Sequence, residues 1–202
     1  MKINLETWNR NQHFNFFKQL DVPRYLITVN LDVTLFVKKI KSQNLSFIHL
    51  AMSEVNKIEN FRYRIINQDV YLFDETHPSF TDVIEGTELF KFVTSNMDSN
   101  LSTFITKAKQ KSKDQGNHFL DENEEERFDV VYITTFPWAS YTQVSHAHNI
   151  DKNDSIPKLA WGKFEDINGK LMMPFSIEVH HGLVDGLHVG KLIQNIQKAL
   201  EK

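Results

Sequence analysis

The stretch Glu178-Val179-His180-His181-Gly182-Leu183-Val184-Asp185-Gly186-Leu187-His188 lies where one hydrophobic pattern gives way to another. The preceding residues, 171–180, are rich in strand-forming side chains and predict a β-strand. The residues that follow recur at helical spacing and predict a closing helix, through Val189, Leu192, Ile193 and Ile196. Gly182 and Gly186 allow the chain to bend sharply between the two. The stretch is therefore predicted to be a strand-to-helix turn.

Further strands are predicted outward from this turn, toward the N-terminus. They cover residues 25–31, 62–66, 70–73, 79–84, 89–93, 130–135, 140–148 and 158–164. Asn168-Gly169 predicts a tight turn that joins the last two strands as a hairpin, and residues 67–69 are predicted to join an earlier pair.

Three more helices are predicted between these strands. Asp32 can cap the first, the second covers residues 46–58, and the third begins near Asn100. The combined pattern predicts an α/β two-layer sandwich, in which helices pack on a large mixed β-sheet. The chain has 202 residues, and 41% of them are hydrophobic. This is enough for one substantial core, so a single domain over 1–202 is expected.

The composition excludes several kinds of site. The chain contains no cysteine, which rules out disulfides, a thiolate nucleophile and Cys-based zinc sites, and fits a reducing cytoplasm. With 23 Lys and Arg against 26 Asp and Glu, a basic face for nucleic acid is not expected. Neither a secretory signal nor a membrane-spanning run is predicted. We therefore expect a cytoplasmic protein with a small-molecule ligand.

The turn that follows residue 180 concentrates three histidines and an aspartate within eleven residues. An imidazole at a strand end can accept a proton near neutral pH, which favours a catalytic base. Two alternatives stay open on the motif alone. The histidines can be structural, or His181, Asp185 and His188 can form a zinc site.

The motif resembles the signature of the chloramphenicol acetyltransferase family, in which two adjacent histidines are followed after three residues by Asp-Gly, an aromatic residue and another histidine. Three positions depart from it: Glu178 replaces the usual Gln, Gly182 replaces Ala or Ser, and Leu187 replaces Phe or Tyr. Looser forms occur in other CoA-dependent acyltransferases, including dihydrolipoamide acyltransferases. Further segments resemble the family in the same order, at residues 8–14, 31–34, 61–62, 73–81, 137–138 and 161–164.

The resemblance implies acetyl-CoA as co-substrate, no metal, and a homotrimer with active sites between subunits. It implies that His181 is the general base, that Arg10 forms a supporting ion pair with Asp185, and that Thr134, in place of a family serine, hydrogen-bonds the oxyanion. The positions that it places beside CoA are Lys163, Phe164 and Trp138.

The acceptor pocket implied by the resemblance combines aromatic residues with polar and charged ones. Phe16, Phe17 and Tyr25 fall at aromatic positions of the chloramphenicol pocket, which favours chloramphenicol or a related small alcohol. Ala160 replaces a threonine that orders a water in the family. His146, His148 and Lys158 fall at positions that are typically apolar, and the two histidines are predicted on one face of a strand. A more polar alcohol, or a non-catalytic ligand-binding role, is the alternative.

Overall fold

The computed structural model describes residues 1–40, 43–121, 124, 127–147 and 150–202. Its helices are α1 Asn11–Phe17, α2 Thr34–Lys39, α3 Gln43–Asn56, α4 Leu101–Gln115 and α5 Gly186–Leu200, with a short 3₁₀ helix at Glu59–Arg62. Its strands are β1 Arg24–Asp32, β2 Tyr63–Ile66, β3 Asp69–Leu72, β4 His77–Val83, β5 Phe90–Thr94, β6 Val130–Phe136, β7 Lys158–Gly162, β8 Glu165–Ile167 and β9 Lys170–His180.

Within these residues, seven strands form one mixed sheet in the order β1-β9-β7-β6-β4-β5, with β8 paired to β9. Strand β9 is antiparallel to β1 and β7, whereas β6 is parallel to β4 and β7. Strands β2 and β3 form a separate hairpin, joined at Asn67 and Gln68, both with positive φ. The predicted α/β fold with a large mixed sheet is confirmed.

The two faces of the sheet differ sharply. On β9, the alternating residues Phe175, Ile177 and Val179 are buried in the core that α3 and α5 cover. Ser176 and Glu178 point to the opposite side, because successive side chains of a strand alternate. We call this opposite side the second face. It carries polar groups, and the candidate site is built on it and at its edge.

Local signals predicted the starts of α2 and α4 to within two residues, whereas α3 begins at Gln43 and not at the predicted residue 46. The Asp32 carboxylate accepts hydrogen bonds from the backbone N–H and the hydroxyl of Thr34, at 3.0 and 2.6 Å, where α2 begins. The Asn100 side chain accepts from the Thr103 backbone N–H at the start of α4. Such bonds satisfy N–H groups that have no partner inside the helix.

The prediction of a strand at residues 140–148 is wrong for its described part. Residues 140–147 form a loop, and His148 lies outside the described residues. The segment packs across the second face instead of pairing with a strand edge. Its Tyr141 ring lies against Gly162, where an added Cβ would be 2.9 Å from the ring. The inference that His146 and His148 share a strand face therefore loses its basis.

The predicted turn at Asn168-Gly169 is present, with φ of 57° and 80°. It joins β8 to β9, however, because β7 already ends at Gly162. Two consecutive residues with positive φ suit a tight hairpin turn. No helix in the described ranges is long and apolar enough to cross a membrane.

Candidate active site

The turn after β9 is shaped by His180. The Gly182 backbone N–H donates to Nδ1 of His180 at 3.1 Å, so the ring proton lies on Nε2, which donates to the Lys152 carbonyl at 3.1 Å. Burial lowers the pKa of His180 to about 4. A Cβ on Gly182 would lie 2.9 Å from this ring, so glycine permits the close fold. His180 is thus a neutral, structural histidine.

His181 points into a different environment. Its backbone N–H donates to the Pro23 carbonyl at 2.8 Å, which fixes the start of the turn. Its imidazole stacks on Phe17, with ring centroids 3.8 Å apart and 8° between the planes, and the Tyr25 ring lies 4.6 Å away. The His181 side chain is 36% exposed. The imidazole is therefore oriented by two aromatic rings and remains accessible to a ligand.

Asp185 lies at the end of the turn and holds Arg10. The Arg10 guanidinium binds both carboxylate oxygens, with Nη1–Oδ2 at 2.6 Å and Nη2–Oδ1 at 2.9 Å. Arg10 also donates to the carbonyls of Gly182 and His181 at 3.4 and 3.5 Å. These hydrogen bonds and the positive charge of Arg10 lower the pKa of Asp185. The start of α1 is thereby tied to the turn that carries His181.

Asp185 also lies close to two histidines of the motif, His181 and His188. Its Oδ1 lies 3.5 Å from His181 Nδ1, which is beyond a strong hydrogen bond. Its backbone N–H donates to His188 Nδ1 at 2.9 Å, as part of a capping box for α5. Arg10 therefore occupies the Asp185 carboxylate and the cap occupies His188 Nδ1, two of the three groups that a zinc ion would need. In the part of the chain that the structure describes, no group of three or more His, Asp or Glu could hold a metal ion.

Two further residues support the turn from outside the motif. Asn60 donates from Nδ2 to the Leu183 carbonyl at 2.9 Å, and the Tyr25 hydroxyl donates to the Val184 carbonyl at 3.3 Å. Burial raises the pKa of Tyr25 to about 12, so its hydroxyl keeps its proton. The role of Asn60 was not predicted, because a single amide in a connecting segment gives no local signal.

A cavity of about 1240 Å³ lies on the second face. Thr134 of β6 lines it, together with Phe92, Phe136, Trp138, His146 and Lys158. Thr134 pairs with Ala160 of β7, which is buried. The predicted oxyanion residue therefore faces a space large enough for a small molecule.

The predicted base and the predicted oxyanion residue do not meet within one chain. Thr134 is opposite Ala160, and Ala160 is opposite Ser176, so Thr134 lies two strands away from β9 at that level. His181 lies five residues beyond Ser176, just past the end of β9, which places the Cα atoms of Thr134 and His181 roughly 19 Å apart from strand spacings alone. His181 also does not line the cavity that contains Thr134.

A cluster of charged side chains lies between these two places. Lys158 Nζ contacts Asp154 at 2.8 Å and Glu178 at 3.3 Å, and Arg24 contacts the same two carboxylates at 2.5 and 3.6 Å. His146 Nδ1 lies 3.5 Å from Glu178. Burial pushes the pKa of Glu178 upward, but His146 and Lys158 outweigh it and bring the pKa to about 2. Sequence reasoning found His146 and Lys158 but missed Arg24 and Asp154.

Of the three residues predicted to bind CoA, Trp138 and Lys163 are exposed and Phe164 is partly buried. Trp138 is 67% exposed, and its ring meets Phe136 edge-on at 5.6 Å. The Lys163 backbone N–H donates to the Ala139 carbonyl at 3.0 Å, which brings exposed Lys163 next to Trp138. Phe164 instead packs partly buried against the core. Among the aromatic acceptor residues, Phe16 is exposed and meets Phe17 edge-on at 5.2 Å.

Comparison with known proteins agrees with this fold and motif. The family model described as chloramphenicol acetyltransferase matches residues 1–197. A chloramphenicol acetyltransferase of Escherichia coli is 27% identical over 201 residues, covering 97% of this chain and 91% of its own. One from Staphylococcus intermedius is 30% identical over 215 residues, covering 99% and 95%.

Solved structures show the same fold. A chloramphenicol acetyltransferase superposes with a TM-score of 0.90 at 24% identity, covering 99% of this chain and all of the other. A probable dihydrolipoamide acetyltransferase from Listeria monocytogenes has a TM-score of 0.67 at 15% identity, covering 100% and 93%. Since the family model matches nearly the whole chain, this protein belongs to the chloramphenicol acetyltransferase family and is an acetyltransferase.

Proposed function

We propose that the protein transfers an acetyl group from acetyl-CoA to a hydroxyl of chloramphenicol or a related small alcohol, with His181 as general base, in a ternary complex. The observation that carries this proposal is the placement of His181: an accessible imidazole stacked on Phe17, in a turn held by the Arg10–Asp185 ion pair. In a chain of this family, that constellation suits proton removal from an alcohol.

The role of His181 depends on its tautomer. Nδ1 is the nitrogen nearest Asp185, so a proton on Nδ1 is favoured by the carboxylate. Nε2 then carries the lone pair that accepts the hydroxyl proton while the alcohol oxygen attacks the thioester carbonyl. The ion pair with Arg10 keeps Asp185 ionised and in place. A positioned base of this kind contributes about 10²–10⁴-fold to the rate.

Thr134 is proposed to donate its hydroxyl proton in a hydrogen bond to the oxyanion that develops on the thioester carbonyl. Its position on β6, within the cavity of the second face, supports this role. Removing one such donor costs about 10²–10³-fold in kcat.

The separation of Thr134 from His181 supports a homotrimer with active sites between subunits. One chain would supply His181, and its neighbour would supply Thr134 and most of the acceptor cavity. Apolar side chains that a second copy would cover are exposed near both residues: Phe16, Leu20 and Val22 near His181, and Phe136 near Thr134. Burial of such side chains stabilises an assembly.

Acetyl-CoA is proposed to bind at the exposed side chains of Trp138 and Lys163, whose backbones are brought near each other by the Lys163–Ala139 hydrogen bond. An exposed indole offers a face for adenine, and an exposed ammonium group offers a contact for phosphate. Phe164 is less available, because its ring packs toward the core. Since acetyl-CoA is a metabolite of the cell interior, we propose that the enzyme is cytoplasmic.

Release of free CoA from acetyl-CoA in the presence of chloramphenicol tests this function, with the acetylated product identified by mass spectrometry. Rapid release that requires chloramphenicol supports the proposal. A protein that binds chloramphenicol without turnover would instead be a non-catalytic descendant of the fold.

The charged cluster around Lys158 favours a second candidate, an acetyltransferase for a more polar alcohol. Lys158 and His146 line the cavity at positions where the family is typically apolar. On this alternative the protein releases CoA slowly with chloramphenicol and faster with hydrophilic alcohols.

A further inference from the structure

The strand register places a charged residue on one side of Thr134 and an aromatic residue on the other. On the second face, residues recur every second position, about 7 Å apart along a strand. The row through Thr134 and Ala160 is flanked on one side by Tyr132 paired with Lys158, and on the other by Phe136 paired with Gly162. A ligand whose reacting hydroxyl lies at Thr134 therefore has charged groups on one side and an exposed aromatic ring on the other.

From this arrangement we propose that the acceptor is a polyol, with a second, uncharged hydroxyl about 7 Å from the one that is acetylated, bound by Asp154 and Lys158. The proposal rests on the acetyltransferase function proposed above. It deepens that function by naming the substrate class.

The hydrogen-bonding capacity of these two side chains matches a hydroxyl. Lys158 has three N–H donors, and its recorded bonds to Asp154 and Glu178 use two of them. Asp154 accepts from both Arg24 and Lys158 through the same oxygen, Oδ2. Oδ1 of Asp154 makes no hydrogen bond with the described residues. The side chains of Asp154 and Lys158 both line the cavity. A hydroxyl can donate to Asp154 Oδ1 and accept from Lys158 Nζ at the same time.

The charge of the cluster favours a neutral group. Among the ion pairs of the cluster, two cations, Arg24 and Lys158, balance two carboxylates, Asp154 and Glu178, and His146 lies beside Glu178. The Lys158 and Glu178 side chains are only 7% and 6% exposed. An ammonium or carboxylate ligand would add an unbalanced charge to a largely buried site, which costs more than a hydroxyl that finds both partners.

Three rigid alcohols that share one carbon skeleton test the proposal. They are cyclohexylmethanol, its analogue with a trans hydroxyl on the opposite ring carbon, and its analogue with an amine at that carbon. CoA release gives kcat/KM for each. We expect the diol to exceed the mono-alcohol by about tenfold or more, the factor for one hydrogen bond to a charged group. We expect the amino alcohol to fall below the diol.

Variants then show whether the cluster causes the preference. The double variant Lys158→Met, Glu178→Gln removes one positive and one negative charge together. We expect its diol preference, the ratio of kcat/KM for the diol to kcat/KM for the mono-alcohol, to fall toward one. Asp154→Ala removes the proposed acceptor of the second hydroxyl and leaves Lys158 in place, so a reduced but measurable preference is expected. Removing the exposed ion pair Lys2–Asp69, as Lys2→Met with Asp69→Asn, serves as the matched control and should leave the preference unchanged.

Several results would overturn the proposal. These are equal rates for diol and mono-alcohol in the parent protein, a preference for the amine, or a diol preference that survives in a folded Lys158→Met, Glu178→Gln protein. If that pair fails to fold, an undiminished preference in a folded Asp154→Ala protein counts against the proposal in the same way. CoA release with none of these alcohols nor with chloramphenicol would overturn the acetyltransferase function itself, whereas release without discrimination overturns only the polyol assignment.

Discussion

The imidazole of His181 lies parallel to the phenyl ring of Phe17, with the ring centroids 3.8 Å apart. Phe17 belongs to α1, so the first helix of the chain sets the plane of an imidazole that lies just beyond β9. The stack is a direct physical link between the predicted acceptor pocket and the predicted base.

Replacing Phe17 by leucine should reduce kcat/KM about 2- to 10-fold, since an aromatic pair contributes about 0.5–1.5 kcal/mol beyond its buried area. Steady-state CoA release measures the effect, and Phe17→Tyr is the conservative control that keeps the stack. Equal activity in Phe17→Leu and the parent would show that the stack does not orient His181.

His181→Ala should lower kcat more than Thr134→Ala does. Loss of the base removes about 10²–10⁴-fold, whereas loss of one oxyanion donor removes about 10²–10³-fold. Thermal unfolding of both variants controls for folding. Comparable kcat values for the two would contradict the assigned roles.

Mixing these two inactive variants should restore activity if the site lies between subunits. In a randomly mixed trimer, about one quarter of the interfaces would pair an intact His181 with an intact Thr134. Co-expression followed by CoA-release assays tests this, and sedimentation should give three times the 23.7 kDa chain mass. A monomeric mass, or no recovery in a mixed trimer, would contradict the intersubunit site.

Removing one partner of the Arg10–Asp185 pair should destabilise the fold. Since the Arg10 side chain is mostly buried, Arg10→Met should lower the free energy of unfolding by about 1–3 kcal/mol, below the range for a fully buried pair. The double variant Arg10→Met, Asp185→Asn should recover part of the loss. Urea unfolding at neutral pH measures both, and a loss within about 0.5 kcal/mol would place the pair among ordinary surface ion pairs.

Stability should fall with acidification in two steps. His180 has a folded pKa of about 4 against an ordinary 6.5, so the unfolded chain takes up the proton first and stability drops between those values. Glu178 has a folded pKa of about 2 against an ordinary 4.5, so its contribution is present above pH 4.5 and is lost as the pH falls toward 2.

Urea unfolding at a series of pH values resolves the two steps. His180→Asn, which keeps an acceptor for the Gly182 N–H, should flatten the upper step alone, and Glu178→Gln should flatten the lower one. Unchanged slopes in both variants would mean that other groups control the acid response.

Local chemistry made much of the fold predictable. The Asn168-Gly169 turn follows from two residues that tolerate positive φ, and the starts of α2 and α4 follow from Asp32 and Asn100. The strand predicted at 140–148 is wrong for residues 140–147, because pairing is a tertiary property and Tyr141 packs on the second face instead.

The candidate site was predictable to a smaller extent. The motif and the family resemblance identified His181, Asp185 and Arg10, which the structure brings together. Arg24, Asp154 and Asn60 are far from the motif in sequence and carry no local signal. The distance between Thr134 and His181 could not be read from their spacing, because it depends on the order of the strands.

The central claim is that His181 removes the acceptor proton, and the most direct test compares His181→Ala with His13→Ala, an exposed histidine of α1. Both proteins are assayed for CoA release with acetyl-CoA and the best acceptor alcohol. We predict that His13→Ala keeps parental activity while His181→Ala loses at least about 10²-fold in kcat with an unchanged unfolding midpoint. A folded His181→Ala protein with parental activity would contradict the account.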